Sequence, residues 1–405
     1  MDLESLKEKL RQHAARVSYK YELYDAKEQD PLVGITIPPQ IRRQYTAVMG
    51  WCTKAVDSLA DRLVFRKFKN DTFSLNEIFK TNNPDIFFDS AILSALIGSC
   101  SFVYISRGKD GEARLQVVES SQATGEIDPI TGLLKSGYAV LDRDKESGSP
   151  TLEAYFLPGR TIYYKNGKIF DEYRNKTELC TLVPIIHCPD AVRPFGRSRI
   201  SRPAIYFQQH AKRTLERADV CAEFYSFPQK YVVGLSSDAE PLDKWRATIS
   251  SMLRFDKDVD GDHPILGQFS ASSMSPFSEH LKTLASGFAA ETGLTLDDLG
   301  FSTDNPSSAE AIKAGHETLK LMARKAQRCF GSGFLNTGYV ARCLEDDFPY
   351  SRGQLAETVP SWYPIFEPDA ASLSGLGDAV VKINNSIPEC FKKENLSELT
   401  GLDLD

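Results

Sequence analysis

Three aspartates at alternate positions followed by a glycine, Asp256-x-Asp258-x-Asp260-Gly261, form the sharpest chemical pattern in the chain. The spacing matches the first half of a calcium loop, where alternating carboxylates share a cation and glycine allows the sharp turn. The second half departs from it. Position twelve, where a bidentate glutamate should close the shell, is Gly267, and Pro264 interrupts the helix expected there. An acidic solvated turn fits residues 256–262 better than a calcium site. No stretch reads G-x-x-x-x-G-K-[ST] or G-x-S-x-G, so neither a phosphate-cradling loop nor a nucleophile elbow is present. The histidines at 13, 187, 210, 263, 280 and 316 are scattered. His316 falls on an apolar helical stripe, where a core histidine with satisfied nitrogens is expected rather than a ligand. His187 and Cys188 would point to opposite faces of a strand and so could not ligate one metal. The pairs Asp297-Asp298 and Asp346-Asp347 have no acidic partner at hydrolytic spacing. Lys313, Lys320, Arg324 and Arg328 read as a solvated basic face balanced by Glu317, in preference to a DNA-facing row. No catalytic residue, metal ligand or cofactor is assigned.

The elements that must carry these residues belong to a chain of 405 residues, long enough for two to three domains with a sizeable core. Apolar residues make up 41% and charged residues 25%, the balance of a soluble folded protein. With 48 Lys and Arg against 55 Asp and Glu, the net charge of −7 argues against tight DNA binding by the whole surface. The 8 cysteines show no CxxC pair or regular spacing, which argues against a zinc site or a disulfide framework. The charged N-terminus lacks the apolar core of a signal peptide. The most membrane-like run, 86–105, carries Asp89, Gly98 and several serines, and reads as a buried helix followed by a strand.

Residues 3–35 are polar and mixed. Ile41, Tyr45, Val48, Cys52, Ala55, Leu59 and Leu63 recur at helical spacing, predicting a long amphipathic helix after Pro38-Pro39. Asn83-Pro84 opens a second helix ending at Gly98, and Phe102–Ile105 reads as a strand. Between 114 and 168, short β runs separated by Asp128-Pro129, Gly148, Pro158-Gly159 and Asn166-Gly167 predict an antiparallel meander within an α+β domain. Ser201-Arg-Pro203 starts a third helix reaching about Tyr225, with a stripe of small residues that includes Ala204, Ala211 and Ala218. A β and loop region follows, then a fourth helix from Phe277 to about Thr292, a loop, and a capping box at Ser307-Ser-Ala-Glu310 that opens another helix.

Several of these segments together resemble the portal proteins of tailed bacteriophages, in particular those of phages with long non-contractile tails. The likeness rests on Gln44-Tyr45 through Met49-Gly-Trp51 to Val64-Phe65, on Asp128-Pro-Ile-Thr-Gly132, and on Phe195-Gly-Arg-Ser198 ahead of the long helix. Leu299-Gly300 with Asn305-Pro-Ser-Ser-Ala-Glu-Ala-Ile312 is its most distinctive part, and Gly377–Lys382 with Ile387-Pro388 extends it toward the C-terminus.

The resemblance implies an α+β portal-type fold: an N-terminal region and wing at 1–200, stem helices at 201–226 and 275–293, and a small β-containing clip at 227–274. It further implies a tunnel loop at 294–307, a wing helix and return strands at 308–369, and a short crown-like helical segment at 370–405. The stem of an adjacent subunit would cover the small-residue stripe. Asp297, Asp298, Phe301, Ser302 and Asn305 would face a DNA channel, with Ser307 and Glu310 capping the helix behind them.

By the same resemblance the protein would be a conduit and not an enzyme. It would form a ring, usually of twelve subunits, at one capsid vertex of the virion, after assembly in the host cytoplasm. Its partners would be the terminase large subunit, major capsid and scaffolding proteins, a head–tail adaptor, and double-stranded DNA sliding through without sequence specificity. No membrane partner and no cofactor are implied. The chain is short for the family, which leaves little room for a large crown. Two readings from other classes stand beside it: a metal-dependent hydrolase or nuclease using Asp256–Asp262, and a scaffold that binds proteins without forming a ring.

Overall fold

The computed structural model describes residues 1–27, 46–226, 230–233, 265–268, 273–301, 314–366, 368, 370–400 and 402. Helix α1 (Leu3–Tyr24) starts where Asp2 accepts from the Ser5 N–H at 3.2 Å. It is the main element that sequence inspection missed. Leu6, Leu10 and Val17 are buried on one side of it, a spacing of four and seven within an otherwise polar segment. Helix α2 (Trp51–Ala60) is shorter than expected. Residues 46–50 are not helical, Val48 is 72% exposed, and Gly50 stands at the cap, a residue poorly suited to a helix interior.

Strand β1 (Phe65–Lys69) is followed by α3 (Leu75–Lys80) and α4 (Pro84–Gly98). Pro84 occupies the first turn of α4, where its missing N–H costs nothing. More than half of α4 is buried, including Phe87, Phe88, Ile92, Leu96 and Ile97, which accounts for its membrane-like hydropathy; among the described residues no helix is long and apolar enough to cross a membrane.

The expected meander is present but is divided between two antiparallel sheets. One has the order β3-β2-β9, from β2 (Cys100–Arg107), β3 (Ala113–Glu119) and β9 (Leu182–Ile186). The other runs consecutively through β4 (Ala123–Ile127), β5 (Leu134–Arg143), β6 (Pro150–Leu157), β7 (Arg160–Lys165) and β8 (Lys168–Arg174). Asn166 and Gly167 both take positive φ between β7 and β8, as the two-residue hairpin signal demands. Phe102, Phe156, Ala139, Ala154 and Leu182 form a core shared by the two sheets, while Leu6 and Leu10 of α1 pack on Tyr138 and Val140 of β5.

Helix α5 (Arg202–Ser226), strands β10 (Lys230–Val233) and β11 (Ile265–Gln268), and helix α6 (Ser275–Thr292) follow. The two strands pair antiparallel. Helix α7 (Glu317–Asp346) is the longest described, and its Gly331, Gly333 and Gly338 lie where a Cβ would press on Pro360, Ile185 and Leu75. Those glycines let the helix backbone lie close on its neighbours. Strand β12 (Val359–Trp362) pairs with β1, and α8 (Ala370–Ser386) and α9 (Lys393–Thr400) end the chain as the helical segment expected there.

By its contacts the chain divides into two compact units. One comprises Met1–Gln29, Gly50–Ile205 and Phe288–Asp405; the other comprises Asp30–Met49 and Tyr206–Gly287.

Candidate functional site

The segment read as a loop between two helices starts where α6 ends at Gly293, whose φ of +67° turns the chain left-handed. The Leu294 N–H donates to the Ala289 carbonyl at 3.1 Å. A single 3-10 turn, Asp297–Leu299, follows, and Gly300 closes it with φ +85°. The Phe301 N–H returns to the Leu296 carbonyl at 3.0 Å. The turn is therefore tightly tied to itself.

Asp297 and Asp298 do different work within it. Asp297 is exposed, and among the described residues its side chain has no hydrogen-bond partner in the turn. Asp298 is half-buried, and its Oδ2 accepts from both the N–H and the hydroxyl of Thr295 at 2.8 Å, while its own N–H donates to Thr295 Oγ1 at 3.2 Å. Phe301 is half-buried. Ser302, Asn305, Ser307 and Glu310 lie outside the described residues, as do Lys313 and the whole of Asp256–Asp262.

His316 differs from the satisfied core histidine expected. It sits at the N-cap of α7, 3.7 Å from Asp298 Oδ2, with its Nδ1 buried and without a hydrogen-bond partner among the described residues. Helical periodicity placed it on the stripe, but the chain breaks from helical geometry at this residue (φ −92°, ψ 3°). Beyond it, Lys320 approaches Glu317 at 3.4 Å, and Arg324 and Arg328 are exposed, as a solvated basic face requires.

The anchor of this region is Arg199, 8% exposed, which no motif flagged. Its Nε donates to the Ala55 carbonyl at 3.2 Å and its Nη2 to the Thr292 carbonyl, so one guanidinium ties α2 to the end of α6. Burial lowers its pKa to about 10. Beside it the Ser201 hydroxyl donates to Glu291 at 2.6 Å, and the Trp51 and Phe288 rings pack with centroids 5.3 Å apart.

Within the other unit, α5 and α6 meet at Thr214 and His280, 3.1 Å apart, and at Gly287, where a Cβ would come within 2.5 Å of the Phe207 ring. Ala204 and Ala211 of the small-residue stripe are fully buried within the single chain. That part of the stripe is thus covered without an adjacent subunit.

His187 and Cys188 overturn the strand-based reading. Strand β9 stops at Ile186, and Cys188 adopts a positive φ of 50°, which brings its Sγ to 3.5 Å from His187 Nε2. The His187 Nδ1 lies 2.6 Å from the Arg197 carbonyl, so the proton resides on Nδ1 and Nε2 is free to accept. Burial drives the His187 pKa down to about 4. Cys188 also contacts Cys329 of α7; as a hydrogen-bond acceptor from Cys188, and near Lys325 and Arg328, Cys329 has its pKa lowered to about 6. Among the described residues no group of three or more His, Cys, Asp or Glu could hold a metal ion.

No family model matches the chain. Among curated proteins it is 27% identical over 344 residues to the portal protein of Mycobacterium phage L5, covering 79% of this chain and 69% of that one. To the portal protein of Mycobacterium phage D29 it is 26% identical over 334 residues, covering 77% and 68% respectively. Among solved structures, a chain from the neck of a native GTA particle aligns over 96% of this chain and 99% of that chain, with 12% identity and a TM-score of 0.48.

Proposed function

We propose that this chain, related over most of its length to phage portal proteins, acts as the portal of a virion: a ring of identical subunits at one capsid vertex, through which DNA enters and leaves. The similarity to two portal proteins across more than three quarters of the chain is the observation that carries this reading. The order of elements agrees with it, since a long helix, a strand pair, a second helix and a tied turn follow one another from Arg202 to Phe301.

In this role the protein positions other machines and does no chemistry itself. The ring has twelve subunits, docks the terminase large subunit during packaging, meets major capsid and scaffolding proteins during head assembly, and later holds a head–tail adaptor. The channel carries double-stranded DNA without sequence specificity. An acidic subunit, −7 by formal charge, suits that task, because phosphate passing a surface of its own sign is not retained.

The turn at 294–301 is the part of the chain proposed to face DNA, with Asp297 as the exposed carboxylate and Asp298 as the residue that fixes the turn's shape. Ser302, Asn305, Ser307 and Glu310, which lie outside the described residues, belong to the same proposal only by the resemblance. Phage carrying Asp297→Lys should package DNA more slowly, because the new ammonium attracts passing phosphates. A packaging rate and genome length equal to wild type would remove Asp297 from the channel.

A further inference from the structure

A pocket under the N-terminal helix is lined on one side by basic side chains. Four basic side chains, Lys9, His13, Arg16 and Lys20, recur at spacings of four, three and four, so they share one face of α1. That face lines a cavity of about 310 Å³, room for roughly ten waters, whose far wall is made by β2, the Ser120 corner and Phe195.

Among the described residues no carboxylate forms an ion pair with Lys9, Arg16 or Lys20, although Glu126 is near enough to act on Lys9. Lys9 donates to the Gly125 carbonyl at 2.6 Å and lies over the Phe195 ring at 4.8 Å, both neutral partners. His13 places Nδ1 2.7 Å from the Lys9 carbonyl and Nε2 3.0 Å from the Ser120 carbonyl, so both of its neighbours are neutral. Lys20 is half-buried, with no carboxylate within 4.0 Å among the described residues. Glu126 pairs with the N-terminal ammonium and acts on Lys9 without touching it, and Glu119 accepts from the Ser121 hydroxyl. Burial pushes the Cys100 thiol in the pocket wall up to about 12, so it contributes no negative charge. Burial also pulls both lysines below their ordinary range, the mark of cations lacking counter-charge.

An independent observation points the same way. Ser120 is among the residues lining this pocket; its hydroxyl is buried, with the residue 3% exposed, and has no hydrogen-bond partner among the described residues. Gly98 makes room for it, since a Cβ there would come within 2.2 Å of that hydroxyl. A buried hydroxyl left without a partner costs about 1–3 kcal/mol, a cost that an acceptor bound beside these basic side chains would relieve.

We propose that this pocket binds a small tetrahedral oxyanion, a phosphate, held by Lys20 and Arg16 with Ser120 Oγ donating to it. The anion neutralises the helix face and fastens α1 to the sheets. It is a site apart from the proposed channel turn, and it does not depend on the portal reading. The phosphate could arrive as the free ion or as part of a polynucleotide backbone. The cavity volume of about 310 Å³ has room for the free ion.

The test titrates the full-length protein with inorganic phosphate in a calorimeter, at ionic strength matched with chloride, and follows ³¹P linewidths in parallel. One saturable site per chain is expected. Lys20→Met should weaken binding at least about tenfold and Ser120→Ala about threefold to tenfold. Arg11→Gln, an exposed charge outside the pocket lining, should leave binding unchanged. If Lys20→Met does not fold, Lys20→Arg with Ser120→Ala replaces it, and the double variant must still bind more weakly than wild type. Absence of saturable binding up to about 10 mM phosphate overturns the proposal, as does equal binding by the Lys20 and Arg11 variants. Binding of duplex DNA that Lys20→Met abolishes, without binding of free phosphate, also overturns it and assigns the site to the polynucleotide.

Discussion

Acidification should reveal His187 as a latent destabiliser, because its ring is buried in the neutral form. The unfolded chain protonates this residue near 6.5, whereas the folded protein holds it near 4. Between these values the unfolded state binds more protons than the folded one, so stability falls as pH falls. The contribution is complete above 6.5 and is lost on the way down through about 4. Over the whole interval, at about 1.36 kcal/mol per pH unit, it amounts to about 3 kcal/mol; between pH 7.5 and 4.5 it amounts to about 2.5 kcal/mol. The structural causes are desolvation first and then the positive charges of Arg199 and Lys325, against which the hydrogen bond to the Arg197 carbonyl works. His187→Asn keeps a donor at the δ position for that carbonyl but cannot acquire a charge. Urea unfolding followed by tryptophan fluorescence at several pH values should show the wild type losing about 2.5 kcal/mol more than the variant between pH 7.5 and 4.5. Carboxylates held below their ordinary range, such as Asp128 and Asp190, weaken both proteins alike and cancel in the difference. Parallel pH profiles for the two proteins would refute the reasoning.

Three further outcomes follow from the same geometry. Cys329, with its pKa lowered to about 6, should be alkylated by iodoacetamide at pH 7 faster than the buried Cys343, and Cys188→Ser should slow that reaction or leave it slower at low pH; equal rates for the two thiols would contradict the assignment. Asp298→Ala should cost about 1 kcal/mol by freeing the Thr295 N–H and hydroxyl, whereas Asp297→Ala should leave the melting temperature unchanged, as thermal unfolding of both variants will show. Lys7→Met removes the ammonium 3.0 Å from Glu153, a carboxylate only 7% exposed that also accepts from Tyr138. It should destabilise the docking of α1 by about 2–4 kcal/mol, read as faster amide exchange in residues 3–24.

Much of the architecture was legible because local chemistry and tertiary context agree. Asn83-Pro84, Ser201-Arg-Pro203 and Asn166-Gly167 each impose a backbone geometry that nothing downstream opposes, and the elements begin and turn where those residues stand. Helix α1 was missed because its buried face is narrow: Leu6, Leu10 and Val17 are spaced among charged residues, several of whose basic side chains line a pocket. The helix extrapolated back from Cys52 failed because apolar spacing alone does not register Gly50, which caps α2 instead of continuing it.

The site was less legible. Asp297 and Asp298 look equivalent in sequence, and only the Thr295 contacts separate an exposed carboxylate from one that ties a turn. Arg199 carries no motif, since its partners are backbone carbonyls of Ala55 and Thr292, far from it along the chain. His187 and Cys188 were placed on opposite faces on the assumption of a strand, and the positive φ of Cys188 undoes that alternation. A stripe of alanines signals close packing without naming the partner, and here Ala204 and Ala211 are buried by the chain's own fold.

The portal reading is tested most directly by the mass and symmetry of the assembled protein. Light scattering over a range of concentrations, with images of single particles viewed end-on, should give a closed ring with a central opening, about twelve chains around, either alone or on addition of capsid and scaffolding proteins. A strict monomer under every one of those conditions would contradict the account.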